Sequence, residues 1–347
     1  MGQSINNDER STRKVLITGA SGFIGSFLVK EALRRGYEVW AGIRRSSNRE
    51  RLQDARIQFI DLKYEDEEAL VGQLSEFAAT NGAWDFIVHN AGLTKTIDPQ
   101  AFYRVNAENT RVFITSLAKA GCVPRKFLLM SSLSSYGVGD EKGFTPLRLS
   151  DTQRPNTAYG ESKRLAEEYV RGQSVVPYVI MRPTGVYGPG DKDYFMEIKS
   201  IQSGFDFAVG MTPQRITFIY VKDLARAVFL ALENEAVVNR HYFVADGDVY
   251  TDKEFAAIIR ELLAKKHVLH ARIPTGLVWL ACLVSEWIGK LAGKSITLNR
   301  DKYKILKQRN WICEVEPLQD ELGFKPDYRL RAGLTEAIAW YRRAGWL

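Results

Sequence analysis

Cysteine, histidine and runs of one charge sign are scarce in this chain. Three cysteines and four histidines occur among 347 residues. Cys122, Cys282 and Cys313 have neither metal-like nor redox-like spacing. That excludes a disulfide scaffold, gives no reason to expect a metal, and points to a reducing, cytoplasmic compartment. The start, Met1-Gly2-Gln3-Ser4-Ile5-Asn6, is polar, so no secretory signal is expected. Asn6 stands where myristoylation of Gly2 would want Ser or Thr. One apolar run, Ile273 to Leu291, nears membrane length. Pro274 opens it, and Glu286 and Lys290 interrupt it, so an amphipathic helix is expected and no stable membrane span. Whether that helix lines a pocket, a dimer face or a membrane surface stays open at this level. Lys and Arg are interleaved with Asp and Glu, and no nucleic-acid tract stands out. The net charge of +7, with a pI near 9.1, reads as a solvated basic surface with a mild attraction for anionic ligands.

The composition present is that of a core-forming protein. Hydrophobic residues make up 45% and charged residues 26%, ordinary values for a globular chain. The length allows one large domain or two. Residues 1–13 read as a flexible arm. Val15-Leu16-Ile17-Thr18 then runs into Gly19-Ala20-Ser21-Gly22-Phe23-Ile24-Gly25, three glycines spaced by three. An amphipathic helix follows, with Ile24, Phe27, Leu28 and Leu33 on one face. A strand, a glycine turn and a helix in that order build an anion site. Backbone can approach a pyrophosphate there, and free N–H groups at the helix start face its oxygens. Gly19, Ser21, Gly22, Phe23, Ile24 and Gly25 are therefore candidate cofactor contacts.

The helix is expected to stop at Gly36, and a second strand to run from Glu38 to Arg44. An acid about 20 residues beyond the glycines would grip the ribose 2′-hydroxyl of NAD. Ile43 stands there instead, followed by Arg44-Arg45-Ser46-Ser47. Two guanidiniums beside hydroxyls suit a 2′-phosphate, which favours NADP, with NAD as the other possibility. A third strand, Arg56 to Leu62, ends in Asp61-Leu62. Asp61 reads equally as an acceptor for an adenine amino group, with Leu62 packing the ring, or as a surface acid. A helix over Glu65–Ala79 and a fourth strand, Trp84–Val88, lead to Asn90-Ala91-Gly92, small residues that let a ribose approach. A long helix carries Phe102, Val105, Asn106, Phe113 and Leu117. A fifth strand, Phe127–Met130, ends in Ser131-Ser132-Leu133-Ser134-Ser135-Tyr136-Gly137. Strand–helix alternation of this kind implies a doubly wound parallel α/β sheet, with ligands outside the carboxyl ends of its strands. Tyr159 and Lys163, four apart in Asn156-Thr157-Ala158-Tyr159-Gly160-Glu161-Ser162-Lys163, share one helical face. An ammonium near a phenol lowers its pKa. A sixth strand, Val179–Pro183, precedes the turn-rich Gly185-Val186-Tyr187-Gly188-Pro189-Gly190.

Together these motifs resemble an extended short-chain dehydrogenase/reductase of the NAD(P)-dependent epimerase/dehydratase family. The resemblance runs from about Lys14 to Leu347 and includes Arg182-Pro183-x-x-Val186-Tyr187-Gly188-Pro189, Phe218 to Asp223 and Glu321 to Pro326. It implies a Rossmann-type domain over 14–183, with returns near 216–250, and a smaller, mainly helical substrate lobe over 184–347. It implies Tyr159 as acid/base, Lys163 on the nicotinamide ribose, and Ser132 as the hydroxyl that orients the substrate oxygen, with Ser134 as a possible helper. Pro183, Thr184 and Val186 would line the nicotinamide end.

Three departures narrow the branch. Leu133-Ser134 follow Ser132 where 4,6-dehydratases carry Asp-Glu. Ile216 stands seven residues before Asp223, where nucleotide-sugar epimerases place an arginine for the diphosphate; neighbouring Arg215 would point to the other strand face. The late Arg-Pro-Gly-Asp stretch is absent between Asn299-Arg300-Asp301 and Arg309-Asn310-Trp311. Leu277 to Val284, with Trp287-Ile288, suggests a greasy wall. The closer resemblance is to dihydroflavonol-reductase-like and 3β-hydroxysteroid-dehydrogenase-like proteins, which act on apolar ring substrates. The expectation is an NADP(H)-preferring enzyme that interconverts a secondary alcohol and a ketone on a small-molecule substrate. A nucleotide-sugar epimerase or reductase is the alternative, and a non-catalytic NADP-binding protein the third reading. The resemblance also implies a homodimer through helices around Phe102–Leu117 and Tyr159–Val170.

Overall fold

The structure, a computed structural model, describes residues 12–292 and 299–347. The arm expected over 1–13 lies, as far as residue 11, outside the described residues. In chain order the first part contains β1 (Lys14–Thr18), α1 (Phe23–Arg34), β2 (Glu38–Gly42), β3 (Gln58–Ile60), α2 (Glu67–Asn81) and β4 (Phe86–His89). It continues with α3 (Pro99–Phe102), a π-helical turn (Tyr103–Glu108), α4 (Asn109–Lys119), β5 (Lys126–Met130), α5 (Ala158–Arg171) and β6 (Tyr178–Pro183). After it come β7 (Gly185–Tyr187), α6 (Asp193–Gln202), β8 (Phe205–Val209), β9 (Arg215–Ile216), β10 (Phe218–Tyr220), α7 (Val221–Glu233) and β11 (Arg240–Val244). The chain closes with β12 (Tyr250–Thr251), α8 (Asp252–Leu262), β13 (Leu269–Ile273), α9 (Thr275–Ala292), α10 (Arg300–Lys307), β14 (Asn310–Trp311), α11 (Glu316–Leu322) and α12 (Leu330–Arg343).

Seven strands form one parallel sheet in the order β11-β6-β5-β4-β1-β2-β3. Side-chain alternation along β1 explains the two covered faces. Val15 and Ile17 pack with Leu28 and Val29 of α1 and with Leu224 and Val228 of α7. Leu16 packs on the opposite face with Leu70 of α2, Phe113 and Leu117 of α4, and Val170 of α5. Strand order reverses between β1 and β4, so a crevice opens there at the carboxyl ends. A separate core of Tyr187, Phe218, Tyr220, Phe255, Leu334 and Tyr341 holds the later elements together.

Several boundaries differ from the sequence expectation. The second strand stops at Gly42 and the third covers only Gln58–Ile60. Asp54 takes the Arg56 N–H in a local turn, which withdraws that residue from the sheet. α2 starts two residues late because Asp66 caps it, accepting from Ala69 N at 3.0 Å. The long helix expected through Phe102–Leu117 is interrupted by the π turn around Asn106.

Candidate functional site

The turn after β1 is built for close approach. Gly19 has φ +65°, and a Cβ there would lie 2.8 Å from Ala91 Cα and 2.9 Å from the Asn90 carbonyl oxygen. Only glycine lets the β1 and β4 ends come together this way. Gly22 stands at the N-cap of α1 in an extended conformation, and no side chain caps the helix. No acidic residue occupies its first turn. The first-turn N–H groups at Phe23, Ile24 and Gly25, with Ser21 half-buried beside them, can therefore take an anion such as a pyrophosphate.

Arg44 and Arg45 stand exposed on the loop after β2. Among the described residues neither guanidinium has a hydrogen-bond or ion-pair partner, so both are free to meet a phosphate. The Asp61 carboxylate accepts from the Arg45 backbone N–H at 3.0 Å and so braces that loop. Leu62 is buried in the core against Leu16 and Leu70.

At the end of β4, Ala91 donates its N–H to Thr18 Oγ1 at 3.0 Å. Thr18 Oγ1 also meets His89 Nδ1 at 2.9 Å, and His89 Nε2 meets Thr110 Oγ1 at 3.1 Å. Burial first, and the nearby Lys163 charge second, hold His89 down to about 3, so it is neutral near pH 7. Asn106 clamps the next loop. It donates from Nδ2 to the Leu93 carbonyl at 3.0 Å and accepts from Leu93 N at 2.7 Å. A second Nδ2 contact reaches Ser162 Oγ at 3.0 Å.

Ser132, Tyr159 and Lys163 are brought together from β5 and α5. The Ser132 hydroxyl is close enough to the Tyr159 phenol to lower its pKa. Ser132 Oγ also accepts from Ser134 N at 3.2 Å. Lys163 Nζ donates to the Met130 carbonyl at 2.9 Å. A Cβ placed on Gly92 would sit 3.2 Å from the same ammonium. Gly160 makes this possible, since a Cβ there would fall 2.3 Å from the Ser134 carbonyl oxygen. Phe102 meets Tyr159 edge-on, with centroids 5.9 Å apart. Pro183 is buried at the end of β6, and Thr184 donates its N–H to Val244 O at 3.1 Å, with half-buried Val186 beyond.

The pKa directions differ from the sequence expectation. Burial pushes the Tyr159 phenol up, and the Ser132 hydrogen bond only partly offsets it. Burial pulls Lys163 down to about 8, against the Glu167 charge that holds it up. Desolvation of both groups thus outweighs the lowering of the phenol that a neighbouring ammonium alone would cause.

Residues 15–245 match the sequence pattern of the NAD dependent epimerase/dehydratase family. This chain belongs to that family. It is an NAD(P)-dependent enzyme. The UDP-glucose 4-epimerase of Vibrio cholerae is 25% identical to it over an alignment of 358 positions, covering 97% of this chain and 98% of that protein. The ceramide reductase of Caulobacter vibrioides is 27% identical over 345 positions, covering 96% of each. Among solved structures, Bordetella bronchiseptica WbmG in complex with NAD superposes with a TM-score of 0.74 at 20% identity, covering 98% of this chain and 97% of that one.

Sequence reasoning about this family member overlooked one group and set aside the members of a second. The first is a buried network under Lys163. Arg182 donates to Glu167 through Nε (2.9 Å) and Nη2 (2.7 Å), and both side chains are fully buried. Ser135 (3.0 Å) and Gln153 (2.8 Å) also donate to Glu167. The available signal was spacing: Tyr159, Lys163 and Glu167 recur every four residues on one helical face. The second group is Arg215 and Arg309, far apart in sequence. They stand over the Phe144 ring at 6.0 Å and 5.0 Å, because β9 and β14 pair in parallel.

Proposed function

We propose that this chain is an NADP(H)-preferring alcohol dehydrogenase/ketone reductase for a small, apolar cyclic substrate. The observation that carries the reading is the Ser132–Tyr159 contact beside the buried Lys163 ammonium. In this reading the Gly19–Gly25 turn holds the pyrophosphate, Asn90-Ala91-Gly92 flanks a ribose, and Asp61 with Leu62 lies toward the adenine. Pro183, Thr184 and Val186 border the nicotinamide, which supplies or accepts the hydride when bound. Elements after residue 184 form most of the substrate lobe, and the outer faces of α4 and α5 the homodimer surface.

Ser132 donates to the substrate oxygen and fixes its direction. Tyr159 moves the proton at that oxygen. Lys163 binds the ribose hydroxyls and keeps a positive field at the phenol. Burial keeps Tyr159 protonated near neutral pH, which favours ketone reduction, the direction in which it donates. An apolar substrate agrees with the likeness to a ceramide reductase. The test is NADPH oxidation by the pure protein across a panel of cyclic ketones. No oxidation there, with turnover of a UDP- or GDP-sugar, reverses the ranking. One observation favours that second reading: Arg215 and Arg309 together over Phe144 offer two guanidiniums to a diphosphate.

Two further results are expected. Arg44→Ala with Arg45→Ala should weaken NADPH far more than NADH, by about 1.5–3 kcal/mol for each charged hydrogen bond lost. Titration of either cofactor by fluorescence reads this; equal losses would reduce both residues to surface charges. The pH profile of kcat/KM should fall as pH rises through about 8, because Lys163 loses its proton there. The working form is the protonated one below that value. A flat profile between pH 7 and 10 would remove Lys163 as the charged group.

A further inference from the structure

The outward side of α9 is apolar. Leu277, Trp279, Leu280, Val284, Trp287 and Ile288 all lie on it, and Trp287 is 65% exposed. Val278 and Cys282 face inward and are buried. At 100° per residue the six exposed side chains cover about half the helix surface, the half that a surface helix ordinarily gives to charge. The parallel pair that leads into α9 adds to this. Phe205 and Phe207 of β8 are exposed and stacked, with centroids 5.8 Å apart, and Leu269 of β13 pairs in register with Phe205 and is also exposed. Large apolar faces of this kind mark a surface that something covers.

Charge distinguishes the occupants. From Lys265 to Arg309 the sequence holds ten Lys and Arg but only two acidic residues, Glu286 and Asp301, a net +8 against +7 for the whole chain. The rest of the protein is thus close to neutral, and its basicity belongs to the segment that carries the apolar face. Lys266 and His267 stand exposed before β13, and Arg300 and Lys307 stand exposed on α10. α10 is held to α9 by the Arg300–Glu286 pair at 2.9 Å. A second copy of this chain, meeting the same face about a two-fold axis, would bring two such basic segments together. An anionic surface would be attracted instead. Tryptophans on an apolar helix face, in a segment rich in Lys and Arg, match the interfacial zone of a bilayer. Among the described residues no helix is long and apolar enough to cross a membrane.

We propose that this face docks on an anionic phospholipid surface, with Trp279 and Trp287 in the headgroup region and the flanking Lys and Arg on the lipid phosphates. The helix packed against the docked one reaches the N-terminal end of α5. α10, which packs on α9, accepts from Ala158 N through Asp301 at 3.0 Å, one residue before Tyr159. The proposal does not depend on which reaction the enzyme performs.

The test is sedimentation of the full chain with vesicles of phosphatidylcholine alone and of phosphatidylcholine with phosphatidylglycerol, without cofactor or substrate. Binding is expected to the anionic vesicles, weakened by salt, and about tenfold weaker to the neutral ones. Trp279→Ser with Trp287→Ser should lower the partition to anionic vesicles by about tenfold as well. Both residues are exposed, and an unchanged circular-dichroism melt confirms that the variant is folded. Failure of the wild type to sediment with anionic vesicles overturns the proposal. So does equal sedimentation of the folded variant. Light scattering supplies the third arm: a wild-type dimer that becomes a monomer in the variant, with no vesicle binding, assigns the face to a second copy.

Discussion

Tyr159→Phe is expected to lower kcat by about 10²–10⁴-fold, the usual contribution of a positioned general acid. The KM of either cofactor should change little, because the lost atom is the phenolic oxygen that meets Ser132. Removing that oxygen leaves the ring, its edge-on contact with Phe102 at 5.9 Å, and the Lys163–Met130 hydrogen bond in place. The drop therefore reports proton transfer and not collapse of the site. Ser132→Ala should lose less, since it orients the oxygen without supplying the proton. Steady-state rates with the best ketone from the panel decide this. A Tyr159→Phe enzyme with wild-type kcat would leave a cofactor-binding protein on the same fold as the better reading.

Arg182→Met is expected to cost about 3–5 kcal/mol of folding stability, because it strands a buried carboxylate. Glu167 is fully buried and takes hydrogen bonds from Arg182, Ser135 and Gln153. Burial pushes its carboxyl up, but the Arg182 charge and these bonds outweigh it, and the net direction is below the ordinary 4.5. The stability gained is therefore present above that ordinary value and is lost as pH falls through the depressed one. Glu167→Gln should also be destabilising, since Arg182 then keeps its charge without a counter-ion. The same variant removes the charge that holds Lys163 up, so the falling limb of the pH profile should move to more acid values. Urea unfolding measures the first effect and kcat/KM against pH the second. A loss below about 1 kcal/mol for Arg182→Met would put the pair in the range of solvent-screened surface bridges.

The fold was largely legible because its signals are local. Glycines at Gly19, Gly22 and Gly25 after four apolar residues specify a strand, a turn and a helix without reference to anything distant. Alternation of strand and helix then fixes a parallel sheet, and the sheet fixes the end at which ligands sit. The π turn at Asn106 was not legible, because its cause is a set of hydrogen bonds to Leu93 and Ser162 from other parts of the chain. The pairing of Arg215 with Arg309 was missed for the same reason. β9 and β14 pair in parallel, and no spacing along either segment shows that.

The residue types at Ser132, Tyr159 and Lys163, and their order along the chain, were determined by sequence alone. So were the amphipathic-helix candidate over 273–291 and the basic loop at Arg44 and Arg45. Only the tertiary structure decided how those groups are charged. Desolvation depends on everything packed around an atom, and it raises Tyr159 and lowers Lys163 where spacing alone suggested the opposite for the phenol. The inward half of α9 was likewise settled by what it packs against, because an apolar face has no direction until the rest of the chain claims one side of it.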